Sequence, residues 1–239
     1  MKRALVTGGS GALGGAVCRR LAALGCHVYV HANTGAERAE RLAAEIRDGG
    51  GSARAVQFDV ADRAAAEAAL EGLLEDGPVQ VLVNNAGVHD DAVLPGMRPE
   101  QWARVIDVSL NGFFNVTQPL LLPMLRTRWG RIVAVSSVAG IMGNRGQANY
   151  AAAKAGLHGA VKSLAIEVAS RGVTVNAVAP GIIDSPMTRE AFGEEQVAQL
   201  VPMKRRGTPE EVAAVVRFLC SEEASYLSGQ VVAVNGAMA

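Results

Sequence analysis

The chain has 239 residues, 49% of them hydrophobic and 19% charged. That length fits one α/β domain spanning residues 1–239, and the composition is that of a globular chain, not a disordered one. Twenty-three basic side chains balance 23 acidic ones, which argues against nucleic acid or an anionic membrane as the main partner.

Cys18, Cys26 and Cys220 are scattered, without CxxC or metal-site spacing, which fits a reducing, cytoplasmic setting and no metal. The opening apolar stretch ends at Thr7-Gly-Gly, too short for a secretion-signal core, and no apolar run reaches transmembrane length.

In chain order, Ala4–Thr7 reads as a strand, Gly8-Gly-Ser-Gly-Ala-Leu-Gly14-Gly as a glycine-rich turn, and Ala16–Leu24 as a helix ended by Gly25. His27–His31 reads as the second strand. Strand, glycine turn, helix and strand form the context of a dinucleotide fingerprint, in which bare backbone and a helix N-terminus receive the pyrophosphate. Two registers fit: Gly9-x-Gly11-x-x-Gly14, or Gly8 with Ala12 and Gly14. An acid at the end of the second strand would hydrogen-bond the ribose of NAD and repel a 2′-phosphate. His31-Ala-Asn33-Thr-Gly35 carries none, so NADPH is favoured; the nearest arginine is Arg38, on the next helix.

Further strands are expected at Arg54–Phe58 and Pro78–Val83, with a helix over Arg63–Glu75 capped by Asp62. Asn84-Asn85-Ala86-Gly87 follows the fourth strand, where amides can brace backbone and a glycine lets a ligand pass closely. His89–Pro99 is irregular and suits the rim of a cleft. Glu100–Arg128 is a long helical region, with a kink or break expected at Pro119 and Pro123. A β-branched strand, Arg131–Ser136, leads to Ser137 at its C-terminal end. An Ala-rich helix from about Tyr150 to Ser170 then puts Tyr150 and Lys154 one turn apart on one face. A free tyrosine has a pKa of about 10; a nearby ammonium favours the phenolate, making it a usable acid or base for a carbonyl/alcohol pair. A serine hydroxyl on the neighbouring strand can orient the same oxygen.

Gly172–Ala179 and Gln230–Asn235 complete the strands, and Thr208-Pro-Glu-Glu211 opens a helix to about Leu219. Met187–Lys204 is amphipathic and suits a mobile substrate lid at about 186–208. The alternation predicts a Rossmann-type, doubly wound, seven-stranded, mostly parallel sheet with helices on both faces.

With Thr7-Gly8-x-x-x-Ala12-Leu13-Gly14, Asn84-Asn85-Ala86-Gly87 and Tyr150-x-x-x-Lys154, the chain resembles the short-chain dehydrogenase/reductase family over essentially its whole length. Gly146-Gln-Ala-Asn-Tyr150-Ala-Ala-Ala-Lys154 and Val168-Ala-Ser-Arg-Gly172-Val-Thr-Val-Asn176 are most similar to the β-ketoacyl-ACP reductases of fatty-acid and polyketide synthesis. The resemblance favours the Gly8, Ala12, Gly14 register, with Ala12 departing from the usual glycine. It implies catalytic roles for Asn111, Ser137, Tyr150 and Lys154, Asn111 holding a relay water through a local kink. It implies cofactor contacts from Gly8, Ser10, Gly11, Ala12, Leu13 and Gly14, from Asn33, from Asp59 and Val60 at the adenine, and from Asn85, Ala86 and Gly87. Pro180, Gly181, Ile183 and Ser185 join them at the nicotinamide end, with Pro186 replacing the usual acid. An acidic acyl carrier protein would bring the substrate; Arg128 and Arg171 match the basic docking positions, with Arg126 and Arg131 nearby. A homotetramer is implied, with a dimer the other possibility. The competing readings are a reductase of free small ketones, sugars or steroids, and a catalytically idle cofactor-binding scaffold.

Overall fold

The computed structural model describes Met1–Ala239 apart from Met187. Seven strands form one all-parallel sheet in the order β3-β2-β1-β4-β5-β6-β7. They are β1 (Arg3–Val6), β2 (His27–Ala32), β3 (Ser52–Gln57), β4 (Val81–Asn84), β5 (Gly130–Val135), β6 (Val173–Pro180) and β7 (Val231–Val234). This is the expected Rossmann-type architecture, parallel throughout. Strand order reverses between β1 and β4, the switch point outside which such sheets bind ligands.

The local reasons follow from sequence. In α2 (Ala36–Asp48) the buried residues Ala39, Leu42, Ala43 and Ile46 recur at helical spacing and pack on the sheet. Asp62 Oδ1 accepts from Ala65 N–H and starts α3 (Arg63–Glu75). Thr208 and Glu211 form a reciprocal capping box that opens α10 (Pro209–Leu219). Every residue of β5 and β6 is buried, as expected of central parallel strands covered on both faces. One face of the sheet packs against α1 (Ala12–Ala23), α2 and α10; the other packs against α3, α5 (Gly112–Arg126) and α7 (Ala148–Val168).

Two expectations change. Helix α1 begins at Ala12, four residues earlier than the glycine-rich wording suggested, because the turn tightens around Gly8 and leaves Gly14 and Gly15 helical. The expected break at Pro119 and Pro123 is absent: α5 runs through both. The prolines are four apart, so their missing N–H groups fall on one stripe. The interruption lies earlier, where α4 (Pro99–Ile106) passes into a wide π turn at Asp107–Asn111.

Gly172 joins α7 to β6 at φ +72, and a Cβ there would run into the Arg128 carbonyl oxygen. Gly172→Ala is therefore expected to cost about 1–3 kcal/mol and to lower Tm by several degrees, measured by thermal unfolding, with a far-UV spectrum unchanged at 20 °C.

Candidate active site

The site is assembled around the end of β1. Gly8 takes φ +64, and both of its backbone polar groups are used inside the protein. Its carbonyl accepts from Gly11 N–H at 3.1 Å and from Asn85 Nδ2 at 3.2 Å. Its N–H donates to His31 Nδ1 at 3.0 Å. A Cβ on Gly14 would collide with the Gly8 carbonyl and stand 2.8 Å from Asn85 Nδ2, so the helix start can lie on the turn only as glycine. The Thr7 hydroxyl accepts from the N–H groups of Asn85 and Ala86, each at 2.9 Å, and Asn85 Nδ2 also donates to the Thr7 carbonyl at 2.8 Å. Two side chains thus lock the β1 and β4 turns together. The free N–H groups of the first turn of α1 sit where Ala12 and Leu13 line the cavity. The Ala12 methyl is exposed, so it strains nothing within the fold. This cradle of bare glycine backbone and unpaired amides fits a dinucleotide pyrophosphate.

Beyond β2, Asn33 is exposed and its carbonyl accepts from Gln57 Nε2. Arg38 Nη2 and Ser10 Oγ stand 2.6 and 2.9 Å from where a Gly35 Cβ would be. The guanidinium is exposed, with no acidic partner among the described residues. Asp59 Oδ1 accepts from Ala61 N–H within its turn. Val60 is buried, and its carbonyl takes Asn115 Nδ2 at 2.9 Å.

A cavity of about 470 Å³ opens at the C-terminal strand edge. Asn85, Gly87, Ser137, Tyr150, Lys154, Pro180, Gly181, Ile183 and Ser185 line it. So do Met142, Ile182, Phe192, Leu200 and Met238, an apolar set scattered over four segments that periodicity alone could not gather. His89 and Asp91 lie on its rim, as expected of that loop, and Gln147 Nε2 donates to Asp91 at 2.8 Å.

Tyr150 and Lys154 share a face of α7, with Lys154 Nζ 5.5 Å from the tyrosine ring centre and donating to the Val135 carbonyl at 2.8 Å. Burial lowers the Lys154 pKa from 10.5 to about 8. Burial also pushes the Tyr150 phenol above its usual 10; the Ser137 hydroxyl pulls it back and the Asp91 charge pushes it further up. The expected lowering of the tyrosine by the lysine is not seen, desolvation being the largest influence, and Tyr150 is a protonated phenol near neutrality.

Asn111 lies away from this cavity. It is exposed, and its Nδ2 donates to Asp107 Oδ1 at 2.7 Å. The π turn instead buries Ser109, whose Oγ has no partner. Ser109 Oγ and Lys154 Nζ are 3.6 and 3.2 Å from where a Gly87 Cβ would stand. Residue type pointed to Asn111; the register of the turn brings Ser109 to the lysine.

The arginines also fall elsewhere than expected. Arg128 and Arg171 are exposed at junctions that lead into β5 and β6. They are therefore at the N-terminal strand edge, opposite the cavity mouth of the same chain. Arg131 is buried at that edge, donating to the Ser221 carbonyl at 3.1 Å and stacked 4.4 Å from the Trp129 ring centre.

The family model for short chain dehydrogenases matches residues 2–196. The chain belongs to the short-chain dehydrogenase family. It is accordingly an oxidoreductase working with a nicotinamide cofactor. It is 44% identical over 236 residues to the 3-oxoacyl-(acyl-carrier-protein) reductase FabG of Aggregatibacter actinomycetemcomitans, covering 98% of each chain. It is 46% identical over 237 residues to the 3-oxoacyl-(acyl-carrier-protein) reductase of a Synechocystis species, covering 98% of this chain and 96% of the relative. To the FabG reductase of Escherichia coli it is 44% identical over 241 residues, covering 99% and 97%. Among the described residues no helix is long and apolar enough to cross a membrane.

Lys154 offers a test of this electrostatics. Its folded pKa, about 8, lies below the unfolded value of 10.5, so the unfolded chain binds more protons between the two and this group's contribution to stability rises with pH across that window. Below pH 8 the fold carries a buried ammonium with one carbonyl partner. Lys154→Met is expected to raise the cofactor-free Tm at pH 7, the gap shrinking toward pH 10; calorimetry at both pH values measures it.

Proposed function

We propose that the chain reduces the 3-keto group of an acyl thioester to the 3-hydroxy group, with NADPH, while the substrate is held on an acidic acyl carrier protein. The pathway is fatty-acid synthesis or a dedicated polyketide or polyene route. The observation that carries this is a protonated Tyr150 beside Ser137 and Lys154 in a cavity that also carries an apolar wall of Met142, Ile182, Phe192, Leu200 and Met238. Such a wall accepts an acyl chain, and the printed names of the relatives point to the same chemistry.

When bound, the reduced nicotinamide supplies the hydride to the carbonyl carbon. The chain's own residues handle the oxygen. The Ser137 hydroxyl donates to it and fixes its position. Tyr150 gives it a proton as negative charge builds, and the raised phenol pKa keeps that proton available near neutrality. The Lys154 ammonium, which Gly87 has no side chain to hold off, stabilises the phenolate left behind. Ser109, in place of Asn111, holds the water through which Lys154 returns a proton to Tyr150. Cofactor contacts come from the Ser10–Gly14 turn, Asn33, Asp59, Val60, Asn85–Gly87, Pro180, Gly181, Ile183 and Ser185, Gly8 offering only its bare Cα. Arg38, with Ser10, takes the 2′-phosphate that distinguishes NADPH from NADH.

Residues 1–239 act as one unit, with a lid at about 186–208 formed by α8 (Pro186–Ala191) and α9 (Glu194–Leu200). Met187, where the amphipathic stretch begins, lies outside the described residues. The Arg206 guanidinium donates to the Phe192 carbonyl between the two lid helices. The protein is a cytoplasmic homotetramer. Because Arg128 and Arg171 sit at the far edge of their own sheet, they steer a carrier toward a neighbouring subunit's mouth rather than their own.

The deciding experiment follows NADPH oxidation with an acetoacetyl thioester presented on carrier protein and on a pantetheine mimic. Turnover is expected on both, faster on the carrier. Tyr150→Phe is expected to lose about 10²–10⁴ in kcat. Arg38→Ala is expected to raise KM for NADPH about tenfold while leaving NADH unchanged. NADPH binding without thioester turnover would favour a small-ketone substrate.

A further inference from the structure

We propose that His31 is a positioning residue for the adenosine half of the cofactor site: as a neutral imidazole it ties the β1–α1 turn to the β3–α3 turn. The proposal rests on the reading that a nicotinamide dinucleotide lies across those two turns.

The ring is 1% exposed and spans both turns. On one side the Gly8 N–H donates to Nδ1 at 3.0 Å. On the other, Nε2 lies 2.9 Å from the Phe58 carbonyl. An amide can only donate and a carbonyl can only accept, so the partners impose one tautomer: a lone pair on Nδ1 and a proton on Nε2. The Phe58 ring packs against the imidazole at 4.1 Å between centroids, and Phe58 leads directly into Asp59 and Val60.

This contact has a specific job because of how Gly8 is built. At φ +64 its N–H turns back toward β2 instead of joining the amides at the start of α1. Gly11 and Asn85 already occupy its carbonyl. The turn is therefore hydrogen-bonded from three sides, by α1, by β4 and, through the His31 imidazole, by β2. An apolar residue at position 31 would fill the same space but leave the half-buried Gly8 N–H without an acceptor and release the Phe58 carbonyl. Protonation would do the same from within, setting an N–H against the Gly8 N–H. Asp59, on the β3–α3 turn, favours the imidazolium, but burial outweighs it and holds the pKa at about 4.

The test compares His31→Phe, which keeps an aromatic ring without an acceptor, with His31→Asn, whose amide oxygen can accept from Gly8 and cannot ionise. Two quantities are read: hydrogen–deuterium exchange of the residue 8–14 amides in the cofactor-free protein, and Kd for NADPH by fluorescence. His31→Phe is expected to speed exchange in that turn and weaken NADPH binding, each about tenfold or more, while kcat at saturating cofactor stays within about twofold. His31→Asn recovers most of both. Lowering the pH from about 6 to about 4, where half of the imidazole is protonated, weakens NADPH binding by the wild type more than by His31→Asn. Wild-type exchange and affinity in His31→Phe would overturn the proposal, as would an equal loss of kcat. If His31→Phe does not fold, the pH profiles decide: a His31→Asn profile as steep as the wild type's overturns it. A wild type that binds no NADPH would instead overturn the cofactor reading, and the exchange contrast would still judge the brace.

Discussion

Backbone passes backbone at Gly8 and Gly14 more closely than a methyl group allows, and the rest of the site is hung on that approach. The glycines permit it, but Thr7 and Asn85 hold it, one hydroxyl taking two amides and one amide taking two carbonyls. The clamp joins β1 and β4, which are sheet neighbours although 74 residues separate Thr7 from the start of β4 at Val81. It also sets the path of the next residues, so that Gly87 passes the Lys154 ammonium, with no side chain to hold it off. A single hydrogen-bonded knot therefore positions the glycine turn at one end and the lysine at the other.

That lysine is kept at a thermodynamic cost. Its ammonium has left water for one backbone carbonyl, and burial drags its pKa down while pushing the nearby phenol up. Both shifts oppose charge separation between the two groups. A tyrosine that stays protonated suits a reduction, where the phenol must give a proton, and the buried ammonium becomes favourable once a phenolate forms beside it. The arrangement is better matched to that moment than to the resting protein, as electrostatic preorganisation requires.

What could be read from sequence was whatever local chemistry enforces. The strand–glycine–helix order, the capping box at Thr208 and the Tyr150–Lys154 spacing each depend on neighbours within a turn or two, and the fold follows from their alternation. What escaped depended on register or direction. Asn111 carried the expected residue type, but the π turn spends five residues where an α-helix would spend fewer, and Ser109 is the side chain turned inward. Pro119 and Pro123 signalled a break, yet their four-residue spacing confines both lost hydrogen bonds to one stripe and the helix survives. His31 looked like an ordinary strand residue; nothing local says that its two nitrogens meet partners from Gly8 and Phe58.

Direction is also what separates the arginines from the chemistry. In a sheet whose strands all run one way, every strand enters at one edge and delivers its catalytic turn at the other. β5, six residues long, puts about 20 Å between them. Arg128 and Arg171 stand at the entry edge, so no lid movement within one chain brings them to their own cavity. If they act on a carrier, they do so for another copy. The outer faces of α5 and α7, where the proposed tetramer would pack, present apolar side chains: Phe114 and Leu122 on α5 are 52% and 58% exposed, and Ile166 on α7 is 83% exposed. In the proposed tetramer, oligomeric assembly and carrier docking would be a single geometric requirement, since packing over these side chains is also what would carry one subunit's basic edge toward another's open one.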